Sequence, residues 1–198
     1  VAADEKAARV ITNNPDNANL AILHASPGNV KYQTFFGDEY PWRGWANLSP
    51  SMISGYVPAV DLHATFSGEA PIVTVLVPIP QGKTFADRVA SFESTPGKDG
   101  KPTTVQIRFT DGTVVDYSAS DKPQELQAGP AKAFANALVA MTRDRQTNGL
   151  VISENGTGEA FTLADGKLKP TAKIDVPAGF SWKSTPRGLI PDYAAQTR

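Results

Sequence analysis

The residues best suited to chemistry in this sequence form one short aromatic and charged segment. Residues 38–45 read Asp-Glu-Tyr-Pro-Trp-Arg-Gly-Trp. Proteins bind sugars through aromatic and polar side chains, and an arginine adds a bidentate contact to a carboxylate or sulfate. Trp42, Arg43 and Trp45 therefore predict contact with an acidic carbohydrate. They also fit a structural role, in which the two rings close the end of a domain or pack on a neighbouring domain with Arg43 between them.

The two histidines, His24 and His63, are the remaining acid–base candidates. Neither belongs to an HExxH or other paired metal-ligand spacing, so no metal site is predicted. A general acid or base needs a second positioned group, and the sequence reveals none, which favours a packed structural role for both. His24 is the better functional candidate because it lies near the end of an apolar segment, where a side chain can face a cleft.

The composition argues against several classes of function. The chain has no cysteine, which excludes disulfides, thiolate zinc sites and a cysteine nucleophile. The GxSxG elbow, the Walker loop and the GxGxxG fingerprint do not occur, so no cofactor is expected. The net charge of -1 argues against nucleic-acid binding, and no apolar run is long enough for a membrane-spanning helix.

Short apolar segments that alternate with polar residues and end in glycine or proline indicate β-strands. Residues 20–25 and 30–36 flank a Ser-Pro-Gly-Asn turn and predict a hairpin. Residues 60–66 alternate, whereas residues 72–77 are a nearly continuous apolar run, which is typical of a strand covered on both faces. The segment between these strands, residues 37–57, is expected to be one long loop.

The rest of the chain also consists mainly of short alternating segments separated by turn residues. Asp111-Gly112 lies between two alternating segments and is a strong turn signal. Residues 1–10 are expected to form a frayed helical turn, and residues 122–131 a loop. Further strands are predicted at residues 89–93, 105–109, 113–117, 138–143, 150–153, 158–163 and 172–176. The predicted fold class is all-β, an antiparallel β-sandwich of many short strands with few or no helices.

A single domain is expected over residues 1–198, with residues 1–19 as an N-terminal extension and residues 184–198 as a C-terminal tail. A chain of this length can bury one substantial core without metals or crosslinks. The sequence begins at Val1 without a signal peptide, so we expect a processed or trimmed fragment of a larger protein.

Several motifs between residues 20 and 80 together resemble one protein family. They are Trp42-Arg-Gly-Trp45, Ser49-Pro-Ser51, Gly55-Tyr-Val-Pro58 and Ile72-Val-Thr-Val-Leu-Val-Pro78. This order resembles the C-terminal region of the heparinase II/III-like polysaccharide lyases, in which an Arg-Gly-Trp loop precedes a Ser/Tyr-rich segment, a Gly-x-x-Pro step and a strand closing on Val-Pro. In that family an N-terminal α/α toroid packs on a β-sandwich, and glycosaminoglycans or alginate-like uronic-acid polymers are cleaved by β-elimination.

The resemblance implies an accessory domain that is inactive alone. The family's catalytic residues lie mostly on the toroid or at the start of the β region, upstream of Val1, so no catalytic residue or metal ligand is assigned. The expected partners are an acidic polysaccharide and an upstream α/α toroid domain of the same protein, in the periplasm or secreted from a bacterium. The expected substrate-binding residues are Trp42, Arg43, Trp45, Tyr56 and His24. A freestanding carbohydrate-binding module and a non-catalytic interaction domain are the alternatives.

Overall fold

The structure is a computed structural model that describes residues 1–25, 29–39, 42–43, 45–47, 54–56, 58–65, 73–153, 157–175, 181–185 and 188–192. The chain divides into two compact units, Val1–Asp111 and Gly112–Arg198. Regular structure in the described residues is antiparallel β-strand apart from a single helical turn. The predicted all-β antiparallel fold class is confirmed, and the architecture is consistent with a sandwich-like fold.

The first unit is built around one antiparallel sheet. Its elements are β1 (Ala2–Asp4), β2 (Arg9–Ile11), β3 (Asn19–Ala25), β4 (Asn29–Phe36), β5 (Asp38–Glu39), β6 (Trp42–Arg43), β7 (Trp45–Asn47), β8 (Ser54–Tyr56), β9 (Pro58–Thr65), β10 (Val73–Ile79), α1 (Phe85–Arg88), β11 (Val89–Thr95) and β12 (Thr103–Phe109). The sheet has the order β1-β2-β3-β10. Antiparallel pairs join β4 to β9, β5 to β6, β7 to β8 and β11 to β12.

The pairing of β3 with β10 follows from their apolar faces. Ala21, Leu23 and Ala25 alternate along β3 with at most 1% exposure, and Val77 and Ile79 of β10 are at most 2% exposed. Pairing these two strands places both apolar rows on one face and removes them from water. The hairpin predicted between residues 20–25 and 30–36 is therefore wrong, because β4 is mostly exposed or half-buried and pairs with β9 instead.

The apolar run in β10 is covered on one face only. Thr74 is exposed and Leu76 is 60% exposed, so the expectation of cover on both faces is wrong. The strand also continues through Pro78 to Ile79. The missing N–H of Pro78 costs no ladder hydrogen bond, because its Cα partner Leu20 directs its carbonyl to the Thr12 N–H on the other side of β3.

The N-terminal ten residues form a hairpin rather than the predicted helical turn. Strand β1 pairs with β2 through Asp4 and Arg9, and β2 pairs with β3, so part of the segment expected to be an extension joins the sheet. The turn between β1 and β2 is closed by Ala7, whose backbone N–H donates to Asp4 Oδ1 at 3.0 Å. Ala8 follows at a φ of 47°, a left-handed conformation that costs a non-glycine residue free energy.

The second unit contains an antiparallel meander. Its strands are β13 (Val114–Ala128), β14 (Ala131–Arg143), β15 (Gln146–Ile152), β16 (Thr157–Ala164) and β17 (Lys167–Asp175), followed by the pair β18 (Ser181–Thr185) and β19 (Gly188–Asp192). Each strand from β13 to β17 pairs with the next, which confirms the meander predicted for the final third. Residues 186–187 and 193–198 of the expected C-terminal tail lie outside the described residues.

The core of this meander is rich in alanine. Leu126, Ala128, Leu138 and Ala140 are buried around Phe161. Because Leu126 and Ala128 belong to β13, the loop predicted for residues 122–131 is wrong. A shift in register along β13 obscures the alternation that marks a strand in the sequence.

Candidate functional site

The described residues of the aromatic segment expected to bind carbohydrate lie in short antiparallel strands. Trp42 and Arg43 form β6, opposite Glu39 and Asp38 of β5, and Trp45 of β7 lies opposite Tyr56 of β8 as a Cα partner. The expectation of one long loop over residues 37–57 is therefore wrong for the described part of it. The side chains of Trp42, Arg43, Trp45 and Tyr56, together with Gly44 and residues 48–53, lie outside what the structure describes, so their binding roles stay predictions.

An exposed aromatic residue precedes this segment. Phe36 ends β4, and its side chain is 64% exposed. Its cross-strand partner is Pro58, the first residue of β9. Phe36 is therefore an apolar, solvent-facing group on the strand that leads directly into the aromatic segment, and the sequence analysis did not single it out.

His24 lies inside the first unit rather than at an open cleft. It is 7% exposed, its Nδ1 is 3.2 Å from Thr74 Oγ1, and its backbone N–H donates to the Ala8 carbonyl at 2.8 Å. Burial lowers the pKa of His24, because desolvation disfavours the imidazolium form. These surroundings match the packed structural interpretation of His24, and its substrate-binding role stays a prediction. His63 is exposed on β9.

Tyr32 of β4 is a second acid–base group beside His24. The two ring centroids are 5.9 Å apart. The Tyr32 hydroxyl oxygen is buried and has no hydrogen-bond partner among the described residues. Burial first, and then the negative charges of Asp4 and Glu5, raise the pKa of Tyr32 to about 12. The sequence could not reveal this pair, because β3 and β4 do not pair with each other and neither residue lies in a motif.

The chemistry open to the Tyr32–His24 pair is limited by these pKa values. A tyrosine that abstracts a proton must be available as a phenolate, and a pKa near 12 leaves only about one part in 10⁵ ionised at neutral pH. Both nearby charges that act on Tyr32 are negative, so they oppose formation of the phenolate further. We therefore regard the pair as neutral packing groups at pH 7.

A cavity of about 390 Å³ opens elsewhere in the first unit. The turn between β1 and β2 contributes Lys6, β2 contributes Arg9, α1 contributes Phe85, and β11 contributes Ser91 and Phe92. Its volume lies within the range of about 300 to 1,000 Å³ that is usual for small-molecule sites. This cavity could not be found from the sequence, because its walls come from segments that lie far apart along the chain.

The described residues also bear on metal ions and membranes. In that part of the chain, no group of three or more His, Asp or Glu side chains is arranged to hold a metal ion. Nor does any helix there have the length and apolar character that a membrane crossing requires.

Comparison with known proteins gave no relative: no family model matches the chain, and no curated protein or solved structure is significantly similar to it.

Proposed function

We propose that this chain is the C-terminal β-sandwich region of a heparinase II/III-like polysaccharide lyase, and that it binds acidic polysaccharide without cleaving it. The observation that carries the proposal is the backbone of the aromatic segment. Trp42 and Arg43 occupy one short strand, and Trp45 and Tyr56 are Cα partners in the next antiparallel pair, so these motif residues lie on two successive strand pairs. Ordered strands position binding groups more accurately than a long loop does.

The proposed ligand is a uronic-acid polymer such as a glycosaminoglycan or alginate. Aromatic rings supply apolar faces for the sugar rings, and Arg43 supplies a cation for the carboxylates. Phe36, which is 64% exposed at the end of the preceding strand β4, adds a further aromatic ring close in sequence to this segment. In this proposal an α/α toroid of the same protein provides the reacting groups, and the protein works in the periplasm or outside a bacterial cell.

The Tyr32–His24 pair offers no support for catalysis by this unit. Tyr32 has a pKa of about 12, so it is not available as a base near neutral pH, and His24 is 7% exposed, so its ring is shielded from a polymer. A β-eliminating enzyme needs a base that is both available near neutral pH and able to reach the proton α to the uronate carboxyl.

Calorimetric titration tests the proposal. Oligosaccharides of heparan sulfate, alginate and hyaluronan are titrated into the chain, with a neutral oligosaccharide of equal length as the ligand control. At least one acidic ligand is expected to bind, and Trp45→Ala is expected to weaken its binding about tenfold. Trp182→Ala, which changes a tryptophan of β18 in the second unit, is the matched control and should leave the affinity unchanged.

Two results would contradict the proposal. Release of unsaturated uronate from any of the three polymers, followed by its ultraviolet absorbance, would show that the chain is catalytic by itself. If the folded, unmodified chain binds none of the three acidic ligands, the alternative of a non-catalytic interaction domain is favoured.

A further inference from the structure

The cavity between the β1–β2 turn and β11 has the composition of a ligand site. The described residues that line it include two cations, Lys6 and Arg9, and no acid, and Asp4, which is outside the lining, is hydrogen-bonded to Arg9. Phe85 and Phe92 supply two apolar rings, and Ser91 and Ser94 supply hydroxyl groups. Such a lining offers one charged anchor, apolar surface and neutral hydrogen-bonding groups, a combination that suits a small anion with an apolar face.

Arg9 is held in place on two sides. Its Nη2 donates to Asp4 Oδ2 at 3.2 Å, and its Cζ lies 5.0 Å from the centroid of the Phe85 ring. A guanidinium has five N–H donors, and among the described residues the one acceptor it reaches is Asp4. The side chain is 34% exposed and lines the cavity, so it is within reach of solvent and of a ligand there.

Phe85 is fixed in turn by the cap of α1. The Thr84 backbone N–H donates to Asp87 Oδ2 at 2.8 Å, and the Asp87 N–H donates to Thr84 Oγ1 at 3.2 Å. This reciprocal capping box closes the single turn that starts at Phe85. The aromatic wall and the arginine stacked on it are therefore both preorganised, which lowers the entropic cost of binding.

Backbone irregularities occur on both walls of the cavity. Ala8 in the turn has a φ of 47°, and β11 has a register shift between Val89 and Ser91 that leaves Ala90 as an extra residue. Ala8 and Ala90 both line the cavity. Left-handed non-glycine residues and β-bulges are concentrated at binding sites, because the strain is tolerated where it shapes the site. These two observations are independent of the side chains that suggested a ligand.

We propose that this cavity binds the carboxylate-bearing end of a short acidic saccharide, with Arg9 as the anchor for the carboxylate. The preference for an anion with an apolar face comes from the cavity itself, whereas the choice of an acidic sugar rests on the function proposed above. A uronate has the matching parts: one carboxylate, a C–H face for Phe85 or Phe92, and hydroxyls within the reach of serines. This site is separate from the aromatic segment at residues 38–45.

The test is a nuclear magnetic resonance titration of the whole chain with glucuronate, with glucose and acetate as control ligands. We expect saturable shifts of the Ala7, Ala8, Ala90 and Ser91 amides with glucuronate, at millimolar affinity. Glucose lacks the charge and acetate lacks the ring, so each should bind at least about tenfold more weakly. If either control binds as well as glucuronate, or if no saturable shift occurs at these amides, the proposal is overturned.

A matched pair of variants localises the anchor. Arg9→Gln should weaken glucuronate binding at least about tenfold. Arg88→Gln is the control, because Arg88 also pairs with an aspartate, Asp111 at 3.3 Å, and lies 4.5 Å from the ring centroid of Phe109, yet does not line the cavity. Equal loss in both variants would overturn the assignment of Arg9.

Two additions keep the outcome interpretable. Arg9→Lys retains the charge but not the planar fork, and should show an intermediate loss even if Arg9→Gln does not fold. The function proposed above is tested by a different measurement, because calorimetry with long oligosaccharides and Trp45→Ala reports on the aromatic segment. The monosaccharide shifts report on the cavity alone.

Discussion

Replacement of Gly149 by alanine should destabilise the second unit more than a typical glycine substitution in a strand. Gly149 lies in β15 opposite Ala140 of β14 and Phe161 of β16. A Cβ atom built on Gly149 would clash with the Val139 carbonyl oxygen, and it would lie 2.5 Å from Cζ of Phe161. Ordinary carbon–carbon contact is about 3.5 to 4.0 Å, so the ring must move by about 1 Å.

The size of the effect follows from what can move. Phe161 is 2% exposed and packed into the core of the meander, so its ring cannot move freely. The Val139 carbonyl belongs to the backbone of β14 and is also fixed. Overpacking of this kind costs about 1 to 3 kcal/mol, and the clash with a fixed carbonyl places Gly149→Ala at the upper end. Alanine restricts the unfolded chain by about 0.4 to 1 kcal/mol in the opposite direction. We expect a net loss of about 2 kcal/mol.

Thermal and urea unfolding followed by circular dichroism measure this loss. A change of about 2 kcal/mol corresponds to a fall in Tm of roughly 4 to 8 °C for a chain of this size. The control is a double-mutant cycle with Phe161→Leu, which removes the ring atoms nearest to the new methyl group. The two penalties should be less than additive by about 1 kcal/mol. A loss below about 0.5 kcal/mol for Gly149→Ala, or strict additivity in the cycle, would refute the packing argument.

Three further perturbations test the first unit. Burial lowers the pKa of folded His24, whereas the unfolded residue binds a proton near the ordinary histidine pKa of 6.5, so the free energy of unfolding should fall as pH drops below about 6.5. Urea unfolding at several pH values should show a weaker pH dependence for His24→Gln. His63→Gln, which changes an exposed histidine, should leave the dependence unchanged. Tyr32→Phe removes a buried hydroxyl with no partner among the described residues, so urea unfolding should show no change or a gain of up to about 1 kcal/mol, and a comparable loss would contradict this view of the hydroxyl. Thr84→Ala should lower the free energy of unfolding by about 1 kcal/mol in thermal unfolding, because it removes the side-chain cap of α1, whereas Thr84→Ser keeps the capping hydroxyl and should retain most of that stability. Equal losses in the two variants would argue against the capping bond.

The strands themselves were largely predictable, but their partners were not. Alternation and β-branched residues located β3, β4, β9, β15 and β16 with shifts of a few residues. The strands β13 and β14 are much longer than the predicted strands at residues 113–117 and 138–143. The preference for short connections predicted that β3 and β4 pair with each other, whereas β3 pairs with β10, much further along the chain. That choice depends on the burial of complementary apolar rows, with Leu23 and Val77 on the same face, and local sequence cannot display it.

The candidate site was predictable only as a cluster of residue types. The spacing of Trp42, Arg43 and Trp45 marks a segment with binding potential, since the residues are adjacent in sequence. The cavity at Arg9 could not be found in the same way, because it requires the left-handed turn at Ala8 and the bulge at Ala90. Neither irregularity occurs at a glycine, the residue that usually signals such backbone geometry.

The central claim, that aromatic residues of the first unit bind acidic polysaccharide, is tested most directly by the dissociation constants of two alanine variants for an acidic oligosaccharide. Phe36 and Phe134 are similarly exposed, at 64% and 67%, but Phe36 adjoins the aromatic segment and Phe134 lies on β14 of the second unit. We predict that Phe36→Ala weakens binding by about tenfold while Phe134→Ala leaves it unchanged. Equal affinities for both variants and the unmodified chain would contradict the account.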